Sequence, residues 1–140
     1  MREWDKNSEQ VSKIRSDMEK ARSLMQVIAL REKNIGMMNP EEFTTLIVES
    51  YYDIIKELIT AIMSIDGWKT ISHELLIGYL AEFYKDFSPA EIHTIDQLRK
   101  TRNDISYRGV TVRQEYLSRS RPFILQVINK LKQIVSKKML

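Results

Sequence analysis

The segment "SPAEIHTIDQLRKTRNDISYRG", residues 88–109, announces a helix at both of its ends. Ser88 offers a side-chain oxygen to the first free backbone N–H groups, Pro89 suits the first helical position, and Glu91 stands where a carboxylate can reach back to the cap. Gly109 is a natural stop, because a left-handed residue after the last turn satisfies the final carbonyls at little steric cost. Between these signals Ile92, Ile95, Leu98, Arg102 and Ile105 recur three and four residues apart and share one side of the helix. All but one are aliphatic, and the exception is an arginine.

The same period continues on both sides of this segment. Val11, Ile14, Met18, Ala21, Met25 and Ile28 make one stripe and predict a first helix over roughly residues 5–33, with nothing that reads as a strand. Asn39, Pro40 and Glu42 repeat the cap, proline and carboxylate pattern and open a second helix. That helix carries Phe43, Ile47, Tyr51, Ile54, Leu58, Ile62 and Ile65 and closes at Gly67. A shorter third helix runs from about Ser72 through Leu75, Leu76, Tyr79, Leu80 and Phe83 to Asp86. A fifth starts at Thr111, with Gln114 in the capping-box position, and carries Tyr116, Phe123, Val127, Leu131 and Ile134. Pro122 removes one backbone donor inside it and predicts a kink near Ser118. The expected fold is an all-α, up-and-down helical bundle of about five helices, forming a single domain over residues 1–140.

Composition agrees with that frame. With 140 residues, 43% of them hydrophobic, and only four Gly and three Pro, the chain can bury one core and has little material for long loops. It has no Cys, which excludes a disulfide framework, a thiolate zinc site and a cysteine nucleophile. The opening "MREWDKNSEQ" is charged throughout and no apolar run approaches the roughly 18 residues of a membrane span, so a cytoplasmic protein without signal peptide or anchor is expected. A net charge of +3 permits a polyanionic partner without requiring one.

Arg102 is the awkward residue. It follows Leu98 by four and precedes Ile105 by three, so its guanidinium belongs to the apolar side of its helix. Burying an unpaired charge costs several kcal/mol, so Arg102 has to find a carboxylate, backbone carbonyls, a ligand phosphate or water. Asn103 and Tyr107 form a neighbouring ridge, and Arg99 and Ser106 flank Arg102. Arg99, Arg102, Asn103, Ser106, Tyr107 and Arg108 together could hold a phosphate, with arginine as the planar fork and amide, hydroxyl and phenol as directional partners. The plainer alternative is an internal salt bridge from Arg102 to Glu49 or Asp53, with Tyr107 capping the core. Arg113, Arg119 and Arg121 could extend the group into a basic cleft that follows a nucleic-acid backbone, or simply form a solvated helix face. The terminal "KLKQIVSKKML" suits a cationic last turn that complements the helix dipole.

The sequence "LRKTRNDISYRG" late in a five-helix chain of this length resembles the signature region of HEPN domains, small helical proteins of prokaryotic toxin–antitoxin and defence systems. The segment "GWKTISHELLIGYL" is similar to the family's usual lead into its third helix, and the long final helix is rich in Lys. The resemblance covers most of the chain, about residues 21–135. It implies an RNA- or nucleotide-binding cleft at a homodimer interface, and a minimal nucleotidyltransferase as a possible partner protein. Arg102 matches the family's motif arginine and Asn103 the polar residue that commonly follows it. In ribonuclease members a histidine follows after four intervening residues; here that position is Tyr107.

This departure bears on catalysis. Metal-free RNA cleavage needs a group that accepts or donates a proton near neutrality, which histidine does and a tyrosine near pKa 10 does poorly. Arg102 and Tyr107 are the only catalytic candidates. His73, near a helix start, reads as a cap or core-edge hydrogen bonder, and His93 lies about two and a half turns from Arg102. No histidines stand at metal-ligand spacing, so neither metal nor other cofactor is expected. The function expected is RNA or nucleotide binding with weak or no cleavage. Two alternatives stay open: a metal-independent endoribonuclease whose base is Tyr107 or a partner chain's histidine, and an interaction module docking a nucleotidyltransferase.

Overall fold

A computed structural model describes residues 1–140 as five helices and one short two-stranded sheet. In chain order these are β1 (Val11–Lys13), α1 (Met18–Met37), α2 (Thr44–Asp66), β2 (Trp68–Thr70), α3 (His73–Phe83), α4 (Pro89–Arg108) and α5 (Gln114–Lys138). The chain is an all-α helical bundle, and α2 is its axis. Ile47, Val48, Ile54, Ile55, Leu58, Ile59, Ala61 and Ile62 bury themselves on several sides of α2. A helix apolar nearly all round has to be surrounded, and α2 touches each of the other four helices. Ala21, Ile28 and Ile35 from α1, Leu76, Ile77 and Leu80 from α3, Ile92, Ile95 and Leu98 from α4, and Ile124, Val127, Ile128, Leu131 and Val135 from α5 complete one core.

The helix ends of α4 follow from local chemistry. Ser88 Oγ accepts from Glu91 N at 3.1 Å and Glu91 Oε1 accepts from Ser88 N at 3.0 Å, the reciprocal pair of a capping box. Gly109 ends the helix at φ 65°, where a side chain would strain the backbone. Ser72 caps α3, accepting from Leu75 N at 3.2 Å. Gly67 closes α2 as its spacing predicts.

The first expected helix is shorter and starts later. Asp17 accepts from Lys20 N at 2.9 Å and caps α1, which begins only at Met18. Val11 and Ile14, counted in the helical stripe, belong instead to an extended segment. In it β1 pairs antiparallel with β2, Val11 opposite Thr70 and Lys13 opposite Trp68. The other differences are smaller. Asn39 caps a turn, accepting from Glu41 N at 2.8 Å, but α2 proper starts at Thr44. Helix α3 stops at Phe83, three residues before Asp86, and α5 begins at Gln114, continuing unbroken through Pro122. Phe123, placed on the core stripe by spacing, points outward and is largely exposed, while Ile124 takes the buried position.

The N-terminal arm crosses α3 at Gly78. A Cβ there would stand 2.5 Å from Arg2 O and 3.0 Å from Trp4 N, so only glycine lets the arm lie this close. The arm's Trp4 then meets Tyr79 and Trp68 edge-on, with ring centroids 4.9 and 5.6 Å away. No helix is long and apolar enough to cross a membrane.

Candidate functional site

Helix α4 presents Arg99, Arg102 and Ser106 along one ridge that faces α2 and α3, while Asn103, Tyr107 and Arg108 occupy its more open side. Arg99 is buried, 8% exposed, and fully committed. Its Nε donates to Asp96 Oδ1 at 3.0 Å, and its Nη1 lies 3.8 Å from Glu74 Oε1 on α3. Lys100 adds a second contact to Asp96 at 3.6 Å. This is an ion pair closed on itself, with hydrogen bonds that offset the cost of taking the charges out of water.

Arg102 is the opposite case. Its guanidinium forms no hydrogen bond and no ion pair with any residue of the chain, and its Nε is shut off from solvent without a partner. The two carboxylates available by sequence reasoning are engaged elsewhere. Glu49 accepts from Ser106 Oγ at 3.3 Å, and Asp53 lies 3.8 Å from both Arg31 and Lys56. The internal salt bridge to Glu49 or Asp53 is therefore absent, and Tyr107, at 79% exposure, caps no core.

Two residues outside the sequence-selected group complete the neighbourhood. Tyr52 on α2 is buried, and its hydroxyl is 3.1 Å from His73 Nδ1 at the start of α3. Burial holds His73 below the usual histidine range, and the positive charges of Lys56, Arg102 and Arg99 push it further down, so the imidazole is neutral near pH 7. Burial also drives the Tyr52 phenol well above its ordinary value, against the pull of Arg99 and Arg102, and the hydroxyl keeps its proton. The same two arginines thus act on both partners of the Tyr52–His73 hydrogen bond. Spacing along the chain gives no sign of this, since Tyr52, His73 and Arg102 come from three helices.

The arginines beyond this ridge do not join it. Arg121 lies over the Tyr51 ring, 5.8 Å from its centroid, and Arg108 Nη1 is 3.5 Å from Asp104 Oδ1 on the exposed end of α4. Arg113 and Arg119 are exposed on and before the first turns of α5. His93 lines a separate half-open cavity of about 430 Å³, with Phe87, Pro89, Ile92 and Asp96. No group of three or more His, Asp and Glu side chains is placed to hold a metal ion.

What the arrangement can do chemically follows from its charge state. A free guanidinium offers a planar fork of donors, a neutral imidazole beside it offers one more donor or acceptor, and both flank a phenol that stays protonated. Such a set suits a singly or doubly charged oxyanion. Compared with family models, with curated proteins and with solved structures, the chain matches none.

Proposed function

We propose that this chain is a HEPN-like protein that binds RNA or a nucleotide through a phosphate held at Arg102 on α4. The observation that carries the reading is the solitary guanidinium: Arg102 is partly buried, its Nε is enclosed, and every carboxylate within its reach by sequence reasoning is taken by another residue. A group left in this state costs the fold roughly 1–3 kcal/mol. Its two terminal nitrogens are also unpaired but are not enclosed, and a ligand phosphate can meet them with charge-assisted hydrogen bonds. The resemblance of "LRKTRNDISYRG" to the HEPN signature matches the same arginine to the family's motif arginine and adds weight to the reading.

Tyr107 fits binding better than cleavage. It is exposed and makes no hydrogen bond within the chain. The reading therefore assigns it a donor's role to the ligand and not a base's. It also includes a homodimer of the cytoplasmic, toxin–antitoxin-associated kind, with a minimal nucleotidyltransferase as a further partner.

Fluorescence anisotropy with a labelled uridine hexanucleotide tests the reading. Arg102→Ala should weaken binding by roughly 1–3 kcal/mol while leaving the melting temperature unchanged or raised, since it removes an orphaned donor. A loss of melting temperature with unchanged affinity would make Arg102 a structural residue and overturn the proposal.

A further inference from the structure

We propose that His73 is the second arm of this phosphate clasp, and that it takes up a proton when a phosphodiester binds at Arg102, so that the chain binds RNA more tightly as the pH falls toward 6. The inference rests on the reading of α4 as a phosphate-binding face. It adds a residue, on a different helix, that no pattern in the sequence singles out for this role.

Geometry supports it first. The Tyr52 hydroxyl holds Nδ1 at 3.1 Å and fixes the ring, and Nε2 has no partner in the chain. A tyrosine hydroxyl both donates and accepts. It can donate to a neutral Nδ1, and it can accept from a protonated one, so the ring gains a charge without losing its anchor. The hydrogen bond that orients His73 is therefore indifferent to the proton, and with Tyr52 donating to the neutral ring, Nε2 carries a hydrogen in either state.

Electrostatics then gives the direction. From α2, His73 is faced by Tyr52, Asp53 and Lys56, and from α4 by Arg99 and Arg102. Its chain neighbour Glu74 points its carboxylate to Arg99. Asp53 is shared between Lys56 and Arg31, and Asp96 and Glu74 lie against Arg99, which leaves Arg102 as the cation near His73 with no carboxylate of its own. While the site is empty, burial first, and then the charges of Lys56, Arg102 and Arg99, keep the imidazole neutral. An anion on Arg102 cancels that arginine's share of the repulsion and supplies an acceptor for Nε2–H, both of which favour the charged ring. By linkage, whatever raises the affinity of His73 for a proton on binding also raises the affinity for the anion as protons become available.

The probe is a uridine hexanucleotide without terminal phosphate, whose phosphodiesters keep one charge each between pH 5.5 and 8. Calorimetry in buffers of different ionisation enthalpy, at fixed ionic strength, should show net proton uptake on binding. Affinity should rise as pH falls, by at most about tenfold per pH unit for a single linked proton. His73→Gln should lose the proton uptake, and with it the rise in affinity between pH 8 and pH 6. The titration of His73 followed by NMR in the unmodified chain needs no variant, and His93, the only other histidine, is the internal reference. The hexanucleotide should raise the His73 midpoint and leave that of His93 in place. Arg102-dependent binding with no proton uptake, or a His73 midpoint unmoved by the ligand, would overturn the inference and leave the phosphate site standing. A hexanucleotide that binds at no pH would overturn the underlying reading and this inference with it.

Discussion

Arg99 and Arg102 lie less than one turn apart on α4 and meet opposite fates, because only Arg99 has carboxylates on both sides of it. The period of Ile92, Ile95, Leu98 and Ile105 made Arg102 visible in the sequence, since a charge inside an aliphatic stripe is a local signal. What it pairs with was not visible: Glu49 and Asp53 stand at suitable positions on α2, and only packing reveals that Ser106, Arg31 and Lys56 occupy them. Of the two roles expected for His73, a cap or a core-edge hydrogen bonder, the cap falls to Ser72 and the bond to Tyr52 agrees with the second; its closeness to two arginines depends on how three helices meet. A prediction follows for the empty protein. The folded state holds His73 below its unfolded value, so the unfolded chain binds that proton more readily and stability is lost as pH falls through about 6.5. Urea unfolding at pH 7.5 and 5.5 should show this loss in the parent and a smaller one in His73→Gln. Equal losses in both would place the titrating group elsewhere.

Among the elements, α4 was legible from end to end because caps are local: Ser88, Pro89, Glu91 and Gly109 act within four residues of the helix they bound. The first strand was not. Val11 and Ile14 fit a helical stripe as well as they fit an extended segment, and what selects the latter is pairing with β2, far along the chain. Asp17 was the one local sign of a later helix start. The end of α2 is joined to its neighbours by a polar cluster that periodicity could not anticipate. Tyr79 of α3 and Tyr84 just beyond it both donate to Asp66 Oδ2, and Lys138 of α5 donates to Asp66 Oδ1 at 2.8 Å. Burial and the hydrogen bond to Asp66 push Tyr84 up to about 12, so its hydroxyl remains a donor throughout the neutral range. Asp66→Asn keeps the shape but removes the charge that gathers these three donors, and should cost about 1–3 kcal/mol. A chemical melt checks this, and a change under 0.5 kcal/mol would show that water replaces the carboxylate at little cost.

For the molecule as a whole, the bundle was predictable because α2 and its partners obey one helical period, whereas the assembly depends on surfaces. Leu46, Tyr107 and Val110 are exposed. The backbone N–H of Val112 donates to Thr45 Oγ1 at 2.9 Å, which ties the α4–α5 connection to the start of α2 and gathers these residues at one end. The proposed dimer would cover that end and bury on the order of 1,500 Å². Light scattering at micromolar concentration should return twice the mass of the 16.5 kDa chain, and a single-chain mass would remove the dimer from the account. The central claim is that Arg102 is held open for a phosphate. The most direct test is the arginine Nε–Hε spectrum of the ¹⁵N-labelled protein, titrated with the uridine hexanucleotide. The account predicts that the Arg102 signal shifts strongly and saturably while that of Arg99, already bonded to Asp96, moves little. Saturable shifts confined to Arg113 and Arg119, with Arg102 unmoved, would contradict it.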